Sequence, residues 1–166
     1  MTRLRTARLV LRLFGAADVD PYAEMCADPE VMRHIGAGEP VGRDVAWRQI
    51  AMFIGHWTLR GHGMWAVERQ SDGRLIGRVG FMHPEGWPGC ELGWLLAQDA
   101  WGQGYAEEAA RAALAWGRDV RGIVSPISLI RADNRRSVAL AERLGAVQDG
   151  EIEFLGGPAR VWRHSA

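Results

Sequence analysis

The feature that most limits what this chain can fold into is a strand, a tight glycine turn and an alanine-rich helix in direct succession. Leu92-Gly93-Trp94-Leu95-Leu96 is extended and apolar, and Ala97-Gln98-Asp99-Ala100 is a short connection. Trp101-Gly102-Gln103-Gly104 then turns into a helical run from Tyr105 to about Arg118. Glycine tolerates the left-handed backbone that a tight turn needs. A helix N-terminus carries unpaired amides and a partial positive charge, so glycines ahead of it let those amides approach a pyrophosphate with no side chain between. The same glycines would serve a chain that only had to turn tightly. The turn holds no GxGxxG, and a sequence without lysine cannot complete a phosphate-binding P-loop.

The rest of the chain alternates strands and helices. Leu9, Leu11 and Leu13 share one face of a first strand, and a helix from Asp18 to Ala27 stops at Asp28-Pro29. Residues 30–39, with Gly36 and Gly38, read as irregular. A helix from Val41 to Leu59 carries Val45, Ile50, Phe53, Ile54 and Trp57 before Gly61 and Gly63 close it. Strands Met64 to Arg69 and Leu75 to Met82 flank the turn Ser71-Asp72-Gly73, and Cys90 to Leu96 follows. Val124 to Ile130 reads as a strand with Pro126 near its start, and Asn134 caps a helix that ends at Leu144-Gly145. Val147 to Phe154 and Ala159 to Trp162 pair around Gly156-Gly157-Pro158. With no linker or repeat, one mixed α/β domain over residues 1–166 is expected.

Composition excludes several classes. Apolar residues at 48% and charged residues at 24% are ordinary soluble usage. No apolar run approaches the ~20 residues of a membrane span, and the basic N-terminus lacks the apolar core of a signal peptide. Cys26 and Cys90 form neither a disulfide framework nor a CxxC pair, so a cytoplasmic location is expected and no metal is. Zero net charge gives no reason to expect nucleic acid or an acidic membrane as partner. All 20 basic residues are arginine, a bias that GC-rich coding explains more often than binding does.

Three blocks, taken in order, resemble one family. The stretch from Glu91 through Leu96 and on from Trp101 to Ala109 resembles the central motif of the GNAT acetyltransferases, most of all the branch that includes the ribosomal-protein N-terminal acetyltransferases. Asp133 to Ala146 resembles that branch's distal motif, and Thr6 to Arg12 its first strand. The resemblance implies a splayed, mostly antiparallel sheet of about six to seven strands with about four helices. It implies acetyl-CoA as co-substrate, with the pantetheine arm near Leu95 and Leu96. The pyrophosphate would lie on the amides of Trp101, Gly102, Gln103, Gly104, Tyr105 and Ala106, and Asn134 would touch the cofactor arm. Trp101 stands where the wider superfamily has Gln or Arg. Glu107 departs from the small hydroxyl residue that often holds phosphate, and it is left out of the site.

Transfer to an amine needs a base for the ammonium and an acid for the departing thiolate. The resemblance makes Glu91 the first choice of base, with His83 behind it. A solvent-facing strand carboxylate or a structural ion pair accounts for Glu91 equally well. The acid that many relatives place seven residues after the asparagine is absent, because that position is Ala141. The branch offers Ser137 instead, at a position that also faces the cofactor. Trp87 is a candidate wall of the acceptor site; Trp47, Trp57, Trp65, Trp116 and Trp162 are expected to be packing residues. The expected function is acetyl transfer to a primary amine, a peptide N-terminus or a small molecule, within a ternary complex. A non-catalytic acyl-CoA-binding module is the alternative. The family commonly pairs two copies through its C-terminal strands, so a homodimer is among the assemblies the resemblance allows.

Overall fold

The computed structural model describes residues 2–165 of the chain. Eight strands and five α-helices follow one another as β1 (Leu4–Arg5), β2 (Leu9–Arg12), α1 (Val19–Ala27), α2 (Pro29–Met32), α3 (Arg43–Arg60), β3 (Met64–Arg69), β4 (Leu75–Met82), β5 (Glu91–Leu96), α4 (Tyr105–Arg121), β6 (Ile127–Ile130), α5 (Arg135–Arg143), β7 (Val147–Phe154) and β8 (Gly157–Arg163). The strands make one sheet in the order β1-β2-β3-β4-β5-β6-β8-β7. Every neighbouring pair is antiparallel except β5 and β6.

The sheet is covered on both faces, which is why β4 is a nearly continuous apolar run rather than an alternating one. On one face α1, α2 and α3 pack Tyr22, Phe53 and Met32 against Met64, Ala66 and Leu95. On the other, α4 lays Ala109, Ala110 and Ala113 over Val67, Phe81 and Leu92. Gly117 sets how close α4 can come, because a Cβ there would lie 2.6 Å from the Phe81 ring. Trp57, Trp65 and Trp116 meet edge-on with ring centroids 4.8 to 5.5 Å apart, the geometry that aromatic quadrupoles favour.

Several local expectations change. The strand count exceeds the expected six to seven because β1, only two residues long, is too short to show periodicity. Residues 29–32 are helical: Asp28 accepts the Glu30 amide at 2.8 Å and Pro29 occupies the first turn. β6 begins at Ile127 rather than Val124, since Ser125 takes a left-handed φ of 52° and Pro126 has no amide to pair. Leu13 is exposed because β2 ends one residue earlier. Trp47 is 55% exposed, as the buried stripe of α3 runs through Ala46, Ile50, Phe53 and Trp57. Among the described residues no helix is long and apolar enough to cross a membrane.

One buried polar link ties the C-terminus to the centre of the sheet. Ser128 Oγ donates to the Leu92 carbonyl at 2.6 Å, so it must accept from His164 Nε2 at 2.9 Å. His164 Nε2 therefore carries a hydrogen, burial favours the neutral ring, and the other ring nitrogen is buried with no partner among the described residues. Burial lowers the His164 pKa to about 4, and His62 is lowered to about 4 by burial and neighbouring positive charge. An unfolded imidazole titrates near ~6.5, so between these values the unfolded chain binds more protons. Stability should be complete above about pH 6.5 and fall toward pH 4 by up to ~1.4 kcal/mol per pH unit for each histidine. Urea titrations from pH 4 to 7 measure this slope, and His164→Gln should flatten it.

Candidate active site

β5 and β6 are registered at a single pair, Glu91 with Ile127, and then part. The gap opens into a cleft of about 900 Å³ between the end of β5, the start of α4 and the start of α5. Leu95, Leu96, Trp101, Gly102, Gly104, Tyr105, Ala106, Asn134 and Ser137 all line it. Two predicted residues do not. The Gln103 side chain turns back to the Asp99 carbonyl at 2.9 Å, and Glu91 lies where the strands begin to part.

The turn has the shape that an anion cradle needs. Gly102 and Gly104 take φ values of 72° and 78°, and a Cβ on Gly102 would meet nothing within 4 Å. Gly104 caps α4 without any side-chain hydrogen bond, and the Glu108 amide is bonded back to Gly104 at 3.0 Å. The amides of Tyr105, Ala106 and Glu107 are thereby left without intrahelical acceptors. The Trp101 amide is different: it is bonded to the Gln98 carbonyl at 3.1 Å, so the free donors begin after it. Trp101 contributes its indole, whose Nε1 donates to the Leu96 carbonyl at 2.9 Å. The Arg136 guanidinium stacks 4.2 Å from the Trp101 ring centroid.

Carboxylates near the turn are bonded to arginines. Glu107 pairs with Arg111 at 2.8 Å and Arg143 at 2.9 Å, which holds its pKa below the usual carboxylate range. Glu108 pairs with Arg8 at 2.7 Å and accepts from Thr6 Oγ1 at 2.5 Å. Arg8 also donates to the Gln103 carbonyl at 2.8 Å and lies 4.5 Å from the Tyr105 ring centroid. The connection between β1 and β2 therefore braces the turn from behind, drawing a carbonyl outward.

Strand parity decides which main-chain groups face the gap. The Leu95 carbonyl points at Gly77 of β4, and the Ala97 amide bonds the Ile76 carbonyl. Leu92 and Leu96 instead direct their carbonyls away from β4, to Ser128 and to Trp101. Trp94, between them, presents its main chain to the gap, whereas that of Leu95 is committed to β4. The Trp94 side chain crosses the wedge, and its Nε1 donates to Ser137 Oγ at 3.1 Å. Asn134 caps α5 by accepting the Ser137 amide at 3.2 Å.

Glu91 Oε2 accepts from Trp87 Nε1 at 2.7 Å. Burial pushes the Glu91 pKa up, opposed by that bond, by the charge of Arg78 and by the Leu129 amide. Trp87 is thus a partner of Glu91, with its ring edge-on to Phe154 at 4.8 Å. His83 gives its main-chain amide to His56 at 2.8 Å. Ala141 is wholly buried in the packing of α5. Sequence reasoning missed Trp94, Arg136 and Arg8, whose contacts join elements far apart in the chain.

Comparison with known proteins agrees with this geometry. The acetyltransferase (GNAT) domain profile matches residues 8–147, and the chain belongs to that family. An acetyltransferase structure from Agrobacterium tumefaciens strain C58 is 32% identical, superposes with a TM-score of 0.90, and covers 100% of this chain and 95% of its own. The uncharacterized N-acetyltransferase YoaA of Bacillus subtilis strain 168 is 24% identical over 154 residues, 90% of this chain and 85% of that protein. RimL, a ribosomal L7/L12 alpha-N-protein acetyltransferase solved with coenzyme A, shares the fold at a TM-score of 0.81 and 17% identity, over 96% of this chain and 95% of its own. The protein is an acyltransferase of a family that uses acetyl-CoA.

Gly104→Val should raise the Kd for CoA by at least about tenfold, because a left-handed φ is strained for a β-branched residue. Gly145 has a similar φ of 80° outside the cleft, so Gly145→Val serves as the control for strain alone. Calorimetric titration of both variants with CoA separates the two effects.

Proposed function

We propose that the protein transfers an acetyl group from acetyl-CoA to a primary amine by direct attack in a ternary complex, with Glu91 as base and Ser137 as acid. The observation that carries this reading is the parting of β5 and β6 between an unpaired turn on one side and Glu91 on the other. Acetyl-CoA supplies a thioester carbonyl open to an amine and a thiolate that needs a proton. The amides of residues 102–106 hold its pyrophosphate, and the main chain of Trp94 and Leu96 faces its pantetheine arm. Leu95 and Asn134 line the same channel.

Two side chains manage protons. Glu91 is oriented by Trp87, which donates to one carboxylate oxygen, and the carboxylate takes the proton of the acceptor ammonium. Its raised pKa brings it closer to the acceptor amine's and makes it a stronger base than an exposed glutamate. Ser137 is oriented by Trp94. An indole only donates, so Ser137 Oγ accepts there and its own hydrogen is free to point into the cleft. Such groups are worth ~10²–10⁴ in rate.

Ser137→Ala should lower kcat by about 100-fold or more and leave the Kd for CoA within about threefold. Equal losses in both would make Ser137 a binding residue. Glu91 acts only as a carboxylate, so kcat/KM should fall as pH drops through its raised pKa. Glu91→Gln should remove that limb from the pH profile, and a profile identical in shape to wild type sinks the assignment.

A further inference from the structure

On the α1–α3 face of the sheet, cross-strand neighbours share one row: Met82 with Glu91, Gly80 with Gly93, and Arg78 with Leu95. The two glycines in the middle leave that row without side chains of its own. Met64 fills the space: a Cβ on Gly93 would lie 3.0 Å from its methyl and 4.0 Å from Glu91 Oε1. Arg78 Nη1 reaches the sulfur of the same Met64 at 3.7 Å. A guanidinium and a carboxylate thus flank one buried thioether, without bonding each other.

The state of Arg78 is unusual for a half-buried cation. Among the described residues it makes no ion pair. Arg12, on the neighbouring part of the sheet, pairs with both Asp18 and Glu68. Arg78 is instead held by neutral groups. Its Nε donates to Tyr22 Oη at 3.0 Å, Tyr22 donates on to Gln49 Oε1 at 2.7 Å, and the Phe53 ring lies 5.3 Å from the guanidinium carbon. Burial keeps the Tyr22 phenol neutral by raising its pKa. The chain of bonds fixes the plane of the guanidinium. Glu91, across Met64, offsets part of its charge without touching it, and a half-buried planar fork with no carboxylate bonded to it suits one.

We infer that Arg78 binds a carboxylate carried by the acceptor, so that the substrate is an amino carboxylate, its amine toward Glu91 and its acid group toward Arg78. This rests on the acetyl-transfer reading above and narrows its acceptor to free amino acids. A peptide N-terminus carries an uncharged amide where the free acid would meet Arg78. The Met64 thioether between the two charges is an adaptable apolar floor for the carbon skeleton.

The test follows thiol release from acetyl-CoA with matched sets of amines. Each set holds an α-, β- or γ-amino acid, its amide and the amine lacking the carboxyl group, and a dipeptide is added for the α series. For at least one set, wild type should prefer the acid by about 10- to 100-fold in kcat/KM. Arg78→Met should abolish that preference by slowing the acid alone, and Arg78→Lys should retain part of it. Equal rates for acid, amide and dipeptide with wild-type protein would overturn the inference without any variant. So would a uniform loss across all acceptors in Arg78→Met with CoA affinity intact, which would mark Arg78 as a packing residue. Turnover of amides or plain amines without preference leaves the acetyl-transfer reading standing. No turnover on any amine overturns both.

Discussion

β5 and β6 are bonded at one register position and then separate, and the cleft follows from that parting. A strand inside a sheet that loses its neighbour exposes a row of main-chain donors and acceptors, which is expensive unless they find partners. The chain supplies partners at both ends of the row. Ser128 takes the Leu92 carbonyl and the Trp101 indole takes that of Leu96. The main chain of Trp94 remains between them, held open by its own side chain wedged against Ser137. The unpaired stretch is short, and it lies at the mouth of the glycine turn.

The two faces of β5 divide the work. Even-numbered residues turn toward α4 and α5 and meet the turn, Asn134 and Ser137. Odd-numbered residues turn toward α1 and α3, where Glu91 and Gly93 face Met64 and Arg78. A single extended segment therefore links the face that carries the glycine turn to the face that carries Glu91 and Arg78. The pleat of one strand fixes the separation between them. The turn is braced by Arg8 on Glu108 from behind and by Glu107 on Arg111 and Arg143 at the cleft itself.

What the sequence revealed was local in origin. The limits of β4 and the start of α4 could be read directly, because apolar periodicity and glycine punctuation act over a few residues. Gly102, Gly104 and Asn134 were legible for the same reason, since backbone conformation and capping are written in residue type. Trp47 was misplaced because the phase of α3 is set by what Ala46, Ile50 and Phe53 pack against. The link from Trp94 to Ser137 spans 43 residues and that from Arg8 to Gln103 spans 95. Such pairs are created by strand order, so no window along the chain displays them. Arg78 looked like any strand arginine until the structure showed that no carboxylate is bonded to it and that Glu91 lies across Met64 from it.

The arginine frame around the turn has a chemical consequence for a protein of this kind. Arg8, Arg111, Arg136 and Arg143 all stand at or behind the cleft, and the sequence offers no lysine anywhere. A guanidinium stays protonated at any working pH and does not attack a thioester, whereas a lysine amine in the same place would. The protein can thus hold an activated acyl group beside a dense positive charge without offering it a side-chain amine of its own. Side-chain amines, which would compete with the acceptor, are absent from the sequence.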